Sequence, residues 1–249
     1  MINLNPVKTS LDLQIKLIKV SLDESAVDIT LYQQKLGSLM YLITCTCPDI
    51  AYPVSLLSYF CSYPLASHHQ AVNRVFHYLS GTHSLGLSHY HIHGSLSLTA
   101  FSDAAYGNCW DTKHSWQGYC FLLGSCLVSW HSTKQHSVST STAEAEYMAL
   151  STTARQASWY LIAFKELDIR VPVTLNYDNT TAIDLSQHTI ISQRMKHIDI
   201  HYHYVRECLL NNKFNIEYIE SSNNTADIFT KALDAQKHSK FVKDLGCTV

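Results

Sequence analysis

The spacing of apolar residues changes near residue 95, and this change constrains the fold more than any other feature. Upstream, apolar side chains recur at helical intervals. Leu36, Leu39, Met40 and Ile43 do so within Tyr32–Thr44, Val54, Leu57 and Phe60 within Ala51–Tyr63, and Val72, Val75, Phe76 and Leu79 within Ser67–Leu79. Pro48 and Pro64 separate the runs, Asp49 stands where the second helix could be capped, and Gly81 supplies a stop signal. Residues 1–30 are weakly patterned and read as an extended arm. Downstream, Ser95–Ser102 alternates with period two, and Gln117–Leu123 and Leu127–Ser132 are two further short strands joined at Gly124-Ser125. A long helical run follows over Ser141–Leu167. After it come a β-branched strand over Val171–Tyr177, helices over Asn179–Gln187 and His197–Leu210, a strand over Phe214–Ile219 and a helix over Asn224–Leu233. The order β-β-β-α-β-α-α-β-α implies an α/β fold: a mixed five-stranded sheet with flanking helices, preceded by a small helical segment. The expected division is a helical segment over 1–94 and an α/β domain over 95–249.

With 249 residues and 46% hydrophobic side chains, the chain can build a real core, which excludes disorder throughout. No apolar run reaches the roughly 18 residues of a membrane span. Met1–Pro6 lacks the basic-then-apolar pattern of a secretory leader. The expectation is an intracellular protein without a membrane partner, cytoplasm and nucleus being undistinguished. Eighteen basic against twenty acidic side chains argue mildly against tight non-specific nucleic-acid binding, yet leave room for a local basic groove. The eight cysteines have neither zinc spacing nor a secretory context and read as reduced, buried thiols.

Four acids stand at informative places. Asp103 ends the first strand, Glu146 lies in the first turns of the long helix, Asp178 ends the fourth strand, and Asp227 opens the last helix. Ligands of open α/β sheets gather at strand ends, where these acids can converge. Like charges so placed are unfavourable unless cations join them, and hard divalent ions suit oxygen ligands. Two such ions about 3.5–4 Å apart would clamp the attacking water and the leaving oxygen of a phosphodiester. Each acid also has an ordinary reading: a turn at Asp103, a helix cap at Asp178, a helix-dipole partner at Asp227. Glu144 is assigned to stability, because Ser141-x-x-Glu144 forms a capping box.

Residues 95–233 resemble the ribonuclease H domain at the end of Ty1/copia-type retrotransposon Pol polyproteins. The matching words are Phe101-Ser102-Asp103-Ala104, Gly118-Tyr119-Cys120-Phe121 with Val128-Ser129-Trp130, and Ser141-Thr142-Ala143-Glu144-Ala145-Glu146-Tyr147-Met148-Ala149-Leu150. Tyr177-Asp178-Asn179, Lys196-His197-Ile198-Asp199-Ile200 and Ala226-Asp227-Ile228-Phe229-Thr230-Lys231 complete them. Upstream, Leu36-Gly37-Ser38-Leu39-Met40-Tyr41-Leu42 and Arg74-Val75-Phe76-His77-Tyr78-Leu79-Ser80-Gly81-Thr82 look like the thumb and connection of the same reverse transcriptase.

The resemblance implies a ribonuclease H-like fold and two-metal hydrolysis of the RNA strand of an RNA–DNA hybrid. The cofactor would be two Mg²⁺ (or Mn²⁺) ions, and Asp103, Glu146, Asp178 and Asp227 fall on the family's metal-binding carboxylates. The implied partners are the hybrid and the polymerase portion of the polyprotein. The chain starts too late to hold a polymerase palm and contains no Asp-Asp pair, so no DNA synthesis is expected of it. Two departures stand out. Asp103-Ala104-Ala105 replaces the family's frequent Asp-Trp, and no His lies in the loop Glu220–Ala226. The alternative reading is a catalytically silent retroelement remnant that keeps the fold and weak nucleic-acid binding. An integrase-type nuclease fits less well, because it expects a Glu where Asp227 stands.

Arg194 and Lys196 precede the helix that would border the groove and are the candidate phosphate contacts. Lys134 and Arg206 read as solvated single charges. His197 and His201 share a helical face, and His89, His91 and His93 alternate along an exposed linker; neither group has a further ligand at metal spacing. Trp116 and Trp130 read as core.

Overall fold

The computed structural model describes residues 4–20, 24–90, 96–180 and 199–249, and of 199–202 the backbone alone. Helices α1 (Ile29–Cys45), α2 (Ala51–Ser58) and α3 (Ala66–Thr82) come first. Asp28 caps α1, its Oδ1 accepting from the amides of Thr30 and Leu31, so two donors that a helix start leaves open are satisfied. α2 is shorter than its apolar run suggests. Beyond Ser58 the amides of Tyr59, Phe60 and Cys61 reach back three residues rather than four, which tightens the chain into turns. α3 continues through Gly81 and ends at Thr82. Tyr32, Leu36 and Leu39 of α1 meet Val54 and Leu57 of α2 and Val72 and Val75 of α3 in one apolar core. The arm is not free: Leu11 and Leu17 are buried in that same core.

After a short strand β1 (Gly86–Leu87), the main elements are β2 (Leu98–Ala105), β3 (Trp116–Leu123), β4 (Cys126–Lys134), α4 (Thr142–Glu166), β5 (Val173–Tyr177), α5 (Asp199–Leu210) and β6 (Asn215–Tyr218). The five-stranded sheet runs β4-β3-β2-β5-β6, with β2, β3 and β4 antiparallel and β2, β5 and β6 parallel. This is the mixed five-stranded sheet with flanking helices that the element order implies. Successive strand residues face opposite sides. Phe121 joins Leu98, Ala100, Leu175 and the α4 residues Tyr147, Leu150 and Ala154 in one core. Its neighbour Cys120 joins Leu127, Ile228, Phe229, Phe241 and Ala51 in another. The helical segment therefore packs on the sheet face away from α4. Trp130 Nε1 donates to the Ile43 carbonyl at 2.7 Å, and Trp116 sits edge-on to Tyr52 at 5.5 Å, so both tryptophans are structural as expected.

Several expectations need correction. The first strand lies later than its alternation suggests, at Leu98–Ala105, because β3 pairs with it as far as Ala105↔Trp116. Asp103 is therefore inside the strand rather than at its end. No single helix spans Asn224–Leu233. A 3₁₀ turn covers Thr225–Phe229, and helix α6 (Ala235–Asp244) starts only where Asp234 Oδ1 accepts from the amides of Gln236 and Lys237. Strand β7 (Cys247–Thr248) then pairs with β1, tying the C-terminal end to the linker after α3. The thiols are all free, but Cys45 is exposed and Cys47 and Cys61 are only half-buried. The division at 94/95 and the helix expected over Asn179–Gln187, from residue 181 on, fall outside the described residues. So do Arg194, Lys196, His197, His91 and His93.

Candidate metal centre

Sheet register brings the first two acids together. The parallel ladder between β2 and β5 ends at Phe101↔Asn176, so two residues further on Asp103 and Asp178 stand level on neighbouring chains. Adjacent strands lie about 4.8 Å apart, which leaves their carboxylates side by side. The 3₁₀ turn adds Asp227. Asn224 anchors that turn: its Nδ2 donates to the Ser102 carbonyl at 2.9 Å while its Oδ1 accepts from the Ala226 amide at 3.2 Å. Ser132 Oγ donates to the Phe229 carbonyl at 2.6 Å from the other side. Carboxylate oxygens of Asp103, Asp178 and Asp227 all fall within 4.8 Å of one another.

Glu146 stands beside this trio rather than within it. Its Oε2 accepts from the Ala104 amide at 3.1 Å and from the Tyr177 hydroxyl at 2.8 Å, so strand β2 and strand β5 both hold it. Glu144 does its expected work at the cap. The Glu144 amide donates to Ser141 Oγ at 3.2 Å, and its own carboxylate accepts from the Thr140 amide at 2.7 Å.

Electrostatics follow from burial. Asp103 is 2% exposed and Asp227 is wholly buried. Burial pushes the Asp103 carboxyl up to about 7; Asp227 and Asp178 add to the rise, while Lys231 and a hydrogen bond from Thr230 oppose it. Burial, followed by repulsion from Asp103, likewise holds Glu146 well above the usual carboxylate range. Two lysines compensate. Lys231 Nζ lies 2.7 Å from Asp227 Oδ1 and 3.7 Å from Asp103 Oδ2, and Lys237 Nζ pairs with Asp227 Oδ2. The Lys231–Asp227 contact is an ion pair whose angle is poor for a hydrogen bond, since that oxygen has no aligned donor. Asp178 Oδ1 is also buried and has no hydrogen-bond partner among the described residues. A buried carboxylate oxygen without a donor is costly, and a hard cation resolves it. The donor set is all oxygen, which fits Mg²⁺ or Mn²⁺.

Gly118 is what lets the turn approach. It pairs with Asp103, and a Cβ there would sit 2.4 Å from Phe229 Cβ and 3.1 Å from the His131 carbonyl oxygen. Sequence reasoning named the acids but not Thr230, Lys231, Lys237, Tyr177 and Asn224, which contact them or the turn that carries Asp227. A signal was present for Lys231, four residues after Asp227, where a lysine and an aspartate on one turn meet.

No family model matches the chain. It is 35% identical over 250 residues to the retrovirus-related Pol polyprotein from transposon RE1 of Arabidopsis thaliana, a match covering 100% of this chain and 17% of that protein. It is 34% identical over 242 residues to the corresponding polyprotein from transposon TNT 1-94 of Nicotiana tabacum, covering 94% of this chain and 18% of that one. The chain thus spans less than a fifth of the length of these relatives. A 131-residue stretch is also 40% identical to secreted RxLR effector protein 161 of Plasmopara viticola, covering 53% of this chain and 92% of that protein. Among solved structures, RNase H1 from the halophilic archaeon Halobacterium salinarum aligns with 57% of this chain and 98% of its own, at 17% identity and a TM-score of 0.41.

Proposed function

Since this chain belongs to the Ty1/copia-type retrotransposon Pol polyproteins, we propose that it is their ribonuclease H part and hydrolyses the RNA strand of RNA–DNA hybrids. The observation that carries this reading is the convergence of Asp103, Asp178 and Asp227 within 4.8 Å, with a buried Asp178 oxygen lacking any donor among the described residues. These three would hold the divalent ions, and Glu146 would complete the set from the side. Divalent ions bound there supply an activated water and stabilise the departing 3′ oxygen of a phosphodiester. The chain's own residues do the rest. Register on β2 and β5 fixes Asp103 and Asp178, Asn224 and Gly118 fix the turn carrying Asp227, and the Ala104 amide and Tyr177 hydroxyl orient Glu146. The hybrid is read by backbone geometry and 2′-hydroxyls rather than by sequence. Polymerase activity is not part of the proposal.

A second reading has one observation in its favour. Lys231 and Lys237 already neutralise Asp227, as they would in a silent remnant whose acids form a structural ion-pair knot. Incubating a strand-labelled hybrid with Mg²⁺ separates the two. The nuclease cuts the RNA strand only, and Asp178→Asn abolishes cutting. A folded chain that leaves the hybrid intact is the remnant.

A further inference from the structure

Lys134, which reads in isolation as a lone solvated charge, belongs to a cluster assembled from four parts of the chain. Its Nζ lies 3.3 Å from the centroid of the Tyr59 ring, and Lys19 of the arm lies 4.1 Å from the same centroid. Lys16 of the arm and Lys113 of the β2–β3 loop lie 4.7 and 5.2 Å from the centroid of Trp110, which is 50% exposed. The two groups are joined, because the Lys19 amide donates to both carboxylate oxygens of Asp111 at 3.1 Å. Asp111 bridges the two groups, which together present four ammonium groups. The chain as a whole carries a net charge of −2.

Tethering the arm to the body would need one cation per ring. A second brings like charges together; the two ammonium groups on Tyr59 lie within roughly one Debye length, about 8 Å, so each works against the other. Such pairing becomes favourable when an external polyanion lies across it. The position identifies that polyanion. Trp110 sits in the loop that leaves β2 just after Asp103, and Asn108 of this loop donates to the carbonyl of Thr230, whose hydroxyl in turn bonds Asp103. Trp110 follows Asp103 by seven positions, a span of at most about 25 Å. An exposed indole beside paired lysines also suits a nucleic acid, offering stacking and cation–π contacts along with charge.

We propose that Lys16, Lys19, Lys113 and Lys134, with Trp110, form a phosphate-backbone contact surface that grips the nucleic acid flanking the carboxylate site. This extends the hybrid reading and rests on it for the identity of the duplex. The N-terminal arm, on this account, is part of the substrate surface and not only of the helical core.

The test measures fluorescence anisotropy of a labelled 18-base-pair RNA–DNA hybrid, and of the same sequence as DNA duplex, with the full chain in EDTA over 25–200 mM NaCl. Lys113→Gln/Lys134→Gln should weaken both duplexes roughly tenfold at the lowest salt. It should also flatten the slope of log K against log salt by nearly two units, about 0.9 for each phosphate that a lysine ceases to neutralise. Lys16→Gln/Lys19→Gln, on exposed arm positions, should do the same and guards against a folding defect in the first pair. Unchanged affinity and slope in both pairs overturns the proposal. So does a binding surface that captures polyglutamate but neither duplex. Failure of the hydrolase reading looks different: the lysine variants still lose affinity for both duplexes, but the hybrid is never cut in Mg²⁺. If the hybrid is cut and the lysine variants bind normally, the surface alone is wrong.

Discussion

Replacing Gly118 by alanine should disturb the aspartate cluster without touching a carboxylate. The added Cβ would meet Phe229 Cβ at 2.4 Å, the Phe229 carbonyl carbon at 3.2 Å and the His131 carbonyl oxygen at 3.1 Å. Carbon atoms in good contact sit about 3.5–4.0 Å apart, so the turn would have to retreat by more than an ångström. It has little freedom to do so. Phe229 is wholly buried, its carbonyl is held by Ser132 Oγ at 2.6 Å, and Asn224 pins the start of the turn to β2 at 2.9 Å. Overpacking of this kind costs about 3 kcal/mol, which for a domain of this size lowers the melting temperature by roughly 6–12 °C. Because Asp227 rides on the same turn, Mn²⁺ affinity should fall with stability. Differential scanning calorimetry and Mn²⁺ titration by electron paramagnetic resonance read the two effects. Gly37→Ala is the control: nothing lies within 4 Å of its Cβ position on α1, and it should stabilise by up to about 1 kcal/mol. A Gly118→Ala protein with the melting temperature and Mn²⁺ affinity of the wild type would refute the packing argument.

Other outcomes follow from the same geometry. Mg²⁺ binding at pH 6.5 should release protons, because burial pushes the Asp103 carboxyl up to about 7 and holds Glu146 well above the usual carboxylate range; calorimetry in buffers of different ionisation enthalpy counts them, and zero release would contradict this. Lys231→Met should cost the metal-free protein about 2 kcal/mol by stripping a cation from buried Asp103 and Asp227, and saturating Mg²⁺ should recover most of it in thermal melts; equal losses with and without metal would speak against this. His238 is pushed down to about 4 by burial, against an ordinary 6.5. Between those values the unfolded chain binds more protons, so this group's contribution, about 3 kcal/mol in full, rises with pH from 4 to 6.5 and is lost as pH falls. The stability difference between wild type and His238→Gln in EDTA should widen over that interval, and a difference independent of pH would contradict it.

Much of this architecture was legible in local patterns. Helical periodicity located α1 and α3, and the short run Gln117–Leu123 ahead of Gly124-Ser125 and the β-branched run before Tyr177 located β3 and β5. What pattern could not supply was partnership. The extent of β2 is set by β3, whose pairing carries the strand through Asp103. The segment after Asn224 looks helical by composition, yet its side chains are claimed by Ser102 and by Gly118's missing Cβ, which bends it into a 3₁₀ turn and postpones the α-helix to Asp234. Asp103, Asp178 and Asp227 were picked out as acids at expected element ends, although β2 runs on past Asp103 and Asp227 sits in a 3₁₀ turn. Their supporting lysines were not, because Lys237 reaches the site from a helix that was not expected there, although Asp234 was available to cap it. The basic-aromatic cluster was hidden for the same reason: Lys19, Tyr59, Trp110 and Lys134 are far apart in sequence and meet only through tertiary packing.

Mn²⁺ titration followed by electron paramagnetic resonance asks whether Asp103, Asp178 and Asp227 hold a divalent metal. If they do, the native chain binds Mn²⁺ saturably, Mg²⁺ displaces it, and a folded Asp178→Asn variant does not bind it. Absence of saturable binding at millimolar Mn²⁺, or binding that survives Asp178→Asn unchanged, would contradict such a site.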